Sequence, residues 1–215
     1  MPKLEPEFAN NPEPRCPCVL LLDTSGSMGG PPINQLNEGL RAFKESLKDP
    51  TALLRVEVAI VTFDDSPTLV QDFVTASNFQ PPLLTAQGGT DMAGGIQKAL
   101  ELLRSRKEQY KANKVSYFRP WVFMITDGAP NAGWEPAAQH IRDEESNRGV
   151  VFFAIGVEGA DMGRLKDIVV RPPWQLRSLN FEGLFKWLSA SLTKGSQGRV
   201  GEQIAMQAPG GDIII

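Results

Sequence analysis

The sequence predicts an α/β fold: a doubly wound, mostly parallel central sheet, one short antiparallel edge strand, and helices on both faces. Three observations lead there. Strand-like and helix-like segments alternate over most of the 215 residues, the pattern of a parallel sheet covered by crossover helices. The first strand segment, residues 18–22, reads as a short continuous apolar run, which marks a strand buried on both faces. No internal repeat or second core interrupts the order of strands and helices, so the length fits one domain with tails.

The elements follow in order. Residues 18–22 form the first apolar run, "CVLLL". After Pro31-Pro32, Ile33, Leu36, Leu40, Phe43 and Leu47 recur at helical spacing, predicting a helix over residues 34–48 that Asp49-Pro50 ends. "LRVEVAIVTFDD", from Leu54, alternates, is rich in valine and isoleucine and reads as a strand; Ser66-Pro67 turns the chain, and "TLVQDFV" returns as a short edge strand. A looser stretch over residues 75–87 leads into "GGTDMAGG" and a helix with a buried stripe of Ile96, Ala99, Leu100 and Leu103. "PWVFMITDG" is a strand, residues 135–147 a weaker helix, and "GVVFFAIGV" the most apolar strand. "GADMGRLKDIV" is a short helix and "WQLRSL" a short strand. Phe181, Leu184, Phe185, Leu188 and Leu192 mark the last helix.

The proline-rich residues 1–15 are expected to be a disordered lead-in and the glycine-rich residues 196–215 a flexible tail, around a domain spanning 16–195. The N-terminus has no apolar central region of a secretory signal, and no uninterrupted apolar run reaches the roughly 18 residues that span a bilayer. A cytoplasmic protein is the resulting expectation. A net charge of −3 and a pI near 5.3 argue against a nucleic-acid partner. Arg104, Arg106 and Lys107 sit among glutamates as a solvated helix face. The two cysteines, Cys16 and Cys18, suit a reduced structural pair; two thiols alone make no zinc site.

In an open parallel sheet, functional groups collect beyond the carboxyl ends of the strands. Three loops there carry oxygen donors. The first delivers Asp23, Ser25 and Ser27, the second Thr90, and the third Asp127. Two carboxylates and three hydroxyls, without histidine or cysteine, suit Mg²⁺ or Mn²⁺ better than zinc. The spacing of two lets a tight loop turn Asp23, Ser25 and Ser27 toward one point. Each piece also has a plainer reading: an Asx turn at Asp23, a helix cap at Thr90 or Asp91, a strand-ending turn at Asp127-Gly128. Asp64-Asp65 could approach the same rim as a second cation site, though a solvated turn is the simpler reading.

The wording Asp23-Thr24-Ser25-Gly26-Ser27, then Thr90 in "GGTDM", then Asp127 in "ITDG", resembles the metal-ion-dependent adhesion site of von Willebrand factor type A domains. Those domains share their Rossmann-like fold with integrin I domains. "LLLDTSGSM", "GGTDMAGGI", "FMITDGAPN" and "NFEGLFKWLSASL" look closer still to the bacterial, tellurium-resistance-associated TerY-like proteins. The resemblance implies a Mg²⁺ site (or Mn²⁺ or Ca²⁺), with Ser25 and Ser27 as direct ligands. It implies that Asp23 and Asp127 act mostly through water, and that Thr90 joins the metal in the ligand-bound state. A protein partner would complete the coordination with an acidic residue. It further implies a non-catalytic, cytosolic scaffold for stress signalling, beside a kinase and phosphatase system.

The competing reading is a Mg²⁺-dependent phosphotransferase or hydrolase using Asp23 or Asp127. A haloacid-dehalogenase-type loop would place a second acid where Ser25 stands. A nucleophile elbow would need glycine there, and no phosphate loop or dinucleotide fingerprint appears. His140, the only histidine, reads as a surface residue. A third reading keeps the fold and binds partners without metal; the complete donor set argues against it.

Overall fold

The computed structural model describes residues 11–128, 133–201 and 213–214. Seven strands form one sheet: β1 (Cys16–Asp23), β2 (Val56–Phe63), β3 (Pro67–Thr75), β4 (Trp121–Thr126), β5 (Val151–Gly156), β6 (Trp174–Leu176) and β7 (Ile213–Ile214). Their spatial order is β3-β2-β1-β4-β5-β6-β7. Strands β2, β1, β4, β5 and β6 are mutually parallel. β3 is the expected antiparallel edge, longer than a short strand at nine residues. A second antiparallel partner, β7, lies against β6 at the opposite edge, inside the segment read from sequence as tail.

Six helices cover the sheet: α1 (Pro31–Ser46), α2 (Pro50–Arg55), α3 (Met92–Ala112), α4 (Glu135–Ser146), α5 (Met162–Ile168) and α6 (Phe181–Gln197). Alternation along each strand feeds two cores. In β1, Leu20 and Leu22 face the layer of α1 and α6, whereas Val19 and Leu21 face that of α3, α4 and α5. Every residue of β1 and β2 is buried, so a near-continuous apolar run is what these positions require. The stripe expected on α3 is buried as read from its spacing.

One helix was not expected. Asp49 and Pro50 end α1 and also start α2, because the Asp49 carboxylate accepts from Ala52 N at 2.9 Å and proline occupies the first helical position. Leu54 and Arg55 therefore close a helix, and β2 begins at Val56.

The described residues extend upstream of β1 to Asn11. Arg15 is fully buried and its guanidinium donates to the Leu54 and Asn11 carbonyls. The rest of the proline-rich segment, residues 1–10, and residues 202–212 of the tail lie outside the described residues. Cys16 and Cys18 are free thiols buried in the core facing α1 and α6. Among the described residues, no helix is long and apolar enough to cross a membrane.

Candidate metal centre

β1 carries its apolar run to Asp23 and stops there, at the carboxyl edge of the sheet. The chain turns at once: Asp23 Oδ1 accepts from Ser25 N at 2.8 Å, an Asx turn. Thr24 N is held by Phe63 O of the neighbouring β2 at 2.9 Å, and Met28 is buried below as an anchor. This turn buries Asp23 and Ser25 but leaves Ser27 exposed, and it sets the Ser25 and Ser27 hydroxyls 3.1 Å apart. The local turn role and a metal-binding role thus fall on the same residues.

β4 lies directly beside β1 and ends at Thr126, so Asp127 emerges next to the β1 loop. The Ser27 hydroxyl donates to Asp127 Oδ1 at 2.9 Å. Sequence reasoning missed Thr126. Its hydroxyl donates to Asp23 Oδ2 at 2.5 Å and accepts from Gly128 N at 3.1 Å, tying the two acidic loops together. Only the adjacency of β1 and β4 reveals that role; a threonine closing an apolar strand gives no other sign.

Thr90 arrives from the loop that enters α3. Gln87 N donates to Thr24 O at 2.8 Å, and Gly26 N donates to Gly88 O at 3.0 Å, so this loop lies against the β1 loop. Asp91 does cap α3, accepting from Gly94 N at 2.9 Å. Half-buried Thr90 is left facing the centre: a side chain begun at Gly128 would meet the Thr90 methyl at 3.4 Å and Asp23 Oδ2 at 3.6 Å. Among the described residues Thr90 makes no side-chain hydrogen bond. The structure therefore links Asp23, Ser25, Ser27 and Asp127 by hydrogen bonds and sets Thr90 beside them.

The electrostatics favour a cation. Burial pushes the Asp23 carboxyl above its ordinary range; hydrogen bonds from Ser25 and Thr126 oppose that, and the Asp127 charge adds to it. Among the described residues no lysine or arginine pairs with either carboxylate. Two neighbouring acids without a counter-ion are costly unless a cation joins them. The spacing suits one: adjacent ligands of an octahedral Mg²⁺ ion, at roughly 2.0–2.1 Å from the metal, lie about 2.9 Å apart. The Ser27–Asp127 and Ser25–Ser27 oxygen separations, 2.9 and 3.1 Å, are hydrogen-bond lengths that an ion could take over with little movement. With few direct anionic ligands, such an ion would keep appetite for an incoming carboxylate.

Asp65 does not join this cluster. It turns toward the Thr90 loop and accepts from Gly89 N. His140 is exposed on α4. Beside the β1 loop, a cavity of about 320 Å³ opens between the start of α1 and the extended chain before Thr90, lined by Gly30, Ile33, Asn37, Leu83, Leu84 and Ala86. Asn37 fixes its far wall, bonding both the N–H and the carbonyl of Leu84, while the Leu83 side chain is 75 % exposed.

Comparison with known proteins agrees on the fold. Residues 18–182 match the von Willebrand factor type A domain family. A sushi, von Willebrand factor type A, EGF and pentraxin domain-containing protein from Rattus norvegicus is 31 % identical over 173 residues, covering 74 % of this chain and 4 % of that protein. The chain thus spans a small fraction of the length of that relative. The pilus adhesin SpaC from Lactobacillus rhamnosus GG, in its open conformation, superposes with a TM-score of 0.69 at 15 % identity, covering 86 % of this chain and 31 % of that one. The vWF domain of the type V pili tip protein Mfa5 from Porphyromonas gingivalis gives 0.62 at 13 % identity, covering 89 % of this chain and 99 % of that one. The extent of the family match, over the strands and loops that carry the five oxygen donors, settles the relationship: the chain belongs to the von Willebrand factor type A domain family.

Proposed function

We propose that the protein is a non-catalytic, cation-dependent protein-binding module. Domains of its family often mediate protein–protein interaction. Ser25, Ser27 and Thr90 would supply neutral oxygens to Mg²⁺, or to Mn²⁺ or Ca²⁺. Asp23 and Asp127 would neutralise the ion's charge, and an acidic residue of the partner would complete its coordination. The observation that carries this reading is the pair of adjacent carboxylates without a basic partner, joined by hydrogen bonds to two serines. The cavity beside Gly30 and Leu83 would receive the partner residues that flank the acid.

The wider reading is a bacterial cytosolic scaffold in tellurium-resistance and stress signalling, beside a kinase and phosphatase system. It is supported by the likeness of "LLLDTSGSM" and "NFEGLFKWLSASL" to TerY-like proteins. No nucleic-acid or membrane partner belongs to it.

Thermal melts of wild type and Ser27→Ala across a Mg²⁺ titration, with Ca²⁺ and metal-free controls, test the site. Binding to the folded state alone stabilises by about 2.7 kcal/mol at a hundredfold excess over Kd. A Mg²⁺-dependent rise in Tm in the wild type and none in the variant is expected. Equal responses, or none in either protein at millimolar metal, would refute the cation site.

A further inference from the structure

The loop that presents Thr90 hangs from four hydrogen bonds. Two are main-chain bonds to the β1 loop, Gln87 N to Thr24 O and Gly26 N to Gly88 O. On the opposite side it is held by the turn between β2 and β3, through Asp91 N to Asp64 O and Gly89 N to Asp65 Oδ1, both at 2.6 Å. Among the described residues, Asp65 supplies the side-chain bond to residues 87–90, reaching the amide next to Thr90. Its own turn is fixed in turn, since Asp64 Oδ1 accepts from Ser66 N at 3.2 Å.

The fit between the two loops is close. Gly88 has φ +68°, and a Cβ there would stand 2.5 Å from Asp65 Oδ2; one at Gly89 would stand 3.1 Å from Oδ1. A residue other than glycine at 88 is therefore both strained and blocked by the carboxylate. The glycine pair and the acid fit only as a set. Thr90 makes no side-chain bond of its own among the described residues, so its place is set entirely by this backbone.

From this we infer that Asp65 is a positioning residue: its carboxylate holds the Thr90 loop against the centre and so makes cation affinity depend on the β2–β3 turn. The inference rests on the reading of Asp23, Ser25, Ser27, Thr90 and Asp127 as a cation site. It assigns Asp65 neither to a second metal nor to a plain solvated turn.

Mn²⁺ titrations of the wild type, Asp65→Ala, Asp65→Asn and the control Asp72→Asn on the exposed side of β3 test it, together with NMR amide exchange of Gly89 in the metal-free proteins. Loss of such a supporting contact weakens metal binding by about tenfold. Asp65→Ala should show that loss and faster Gly89 exchange, with the Tm of the metal-free protein close to wild type. Asp65→Asn keeps an acceptor oxygen and should recover part of the affinity, and Asp72→Asn should behave as wild type. An Asp65→Ala affinity within twofold of wild type would overturn the inference, as would unchanged Gly89 exchange. Absence of Mn²⁺ binding in the wild type would overturn the cation reading and the coupling with it, while Gly89 exchange would still report whether Asp65 holds the loop.

Discussion

The Ser27 hydroxyl donates to Asp127 Oδ1 at 2.9 Å, joining loops that stand 100 positions apart in the chain. The bond exists because β1 and β4 are neighbours in the sheet and end at the same level, with Leu22 opposite Ile125. Thr126 reinforces it from below through Asp23. Thr126→Val keeps the shape and removes the hydroxyl, leaving a buried carboxylate oxygen without its donor. A loss of about 1–3 kcal/mol is expected in urea unfolding, with a smaller Mg²⁺-dependent rise in Tm. An unchanged urea midpoint would contradict the role given to Thr126.

At the opposite end of the sheet, buried Glu57 on β2 accepts from Arg106 Nε at 2.9 Å and from the Tyr110 hydroxyl, and pairs with Arg15 at 3.4 Å. It ties the segment before β1 to α3, and Arg106, read from sequence as part of a solvated helix face, is buried here because it neutralises the Glu57 carboxylate. Removing one partner of a buried ion pair costs about 3–5 kcal/mol, so Glu57→Ala should destabilise by that order in urea. A change below about 1 kcal/mol would show the cluster to be dispensable.

α1 and α6 meet at Gly39. A Cβ there would stand 2.6 Å from a Phe185 ring carbon and 2.9 Å from Phe181 Cβ. Overpacking of this kind costs about 1–3 kcal/mol, which Gly39→Ala should show in thermal melts. The same close contact leads us to expect a firmly docked α6. Crystal structures with and without a carboxylate ligand should place it alike, and a displacement by a helical turn would overturn that expectation.

Burial pushes the Cys16 thiol from 9.0 up to about 12, and moves Cys18 well upward too. Below pH 9 both states keep the protons, and stability does not depend on these groups. Above it the unfolded chain releases protons that the folded one retains. Stability therefore falls by up to about 1.4 kcal/mol per pH unit for each thiol. Tyr110, also raised by burial, acts in the same direction at higher pH. Urea melts at pH 8 and pH 10 should show the fall, and Cys16→Ala/Cys18→Ala should flatten it. Neither thiol should react with iodoacetamide in the folded protein at pH 8.

Much of the fold was legible because burial on both faces leaves a plain mark, as in the apolar runs of β1 and β5. The clustering of the candidate site was legible for a related reason: Asp23 and Asp127 interrupt such runs where neighbouring strands stop. α2 was missed although its signal was present, since an Asp-Pro pair that ends one helix can cap the next. Thr126 and the bond from Asp65 to Gly89 were beyond reach for a different reason, although Asp64-Asp65 had been read as near the rim. Each acts across the sheet or between loops, on atoms far away in sequence, and neither carries a local pattern of its own.

The crossover from β1 through β2 and back to β4 has a consequence for the newborn chain. Thr126 reaches Asp23 across 103 positions, so a nascent polypeptide emerging N-terminus first carries the opening serines long before their companions leave the ribosome. No fragment short of β4 holds both acids, so under the proposed reading none would grip an ion or a partner through this centre. On that reading, competence to bind would arrive in one late step, once the middle of the sheet has closed.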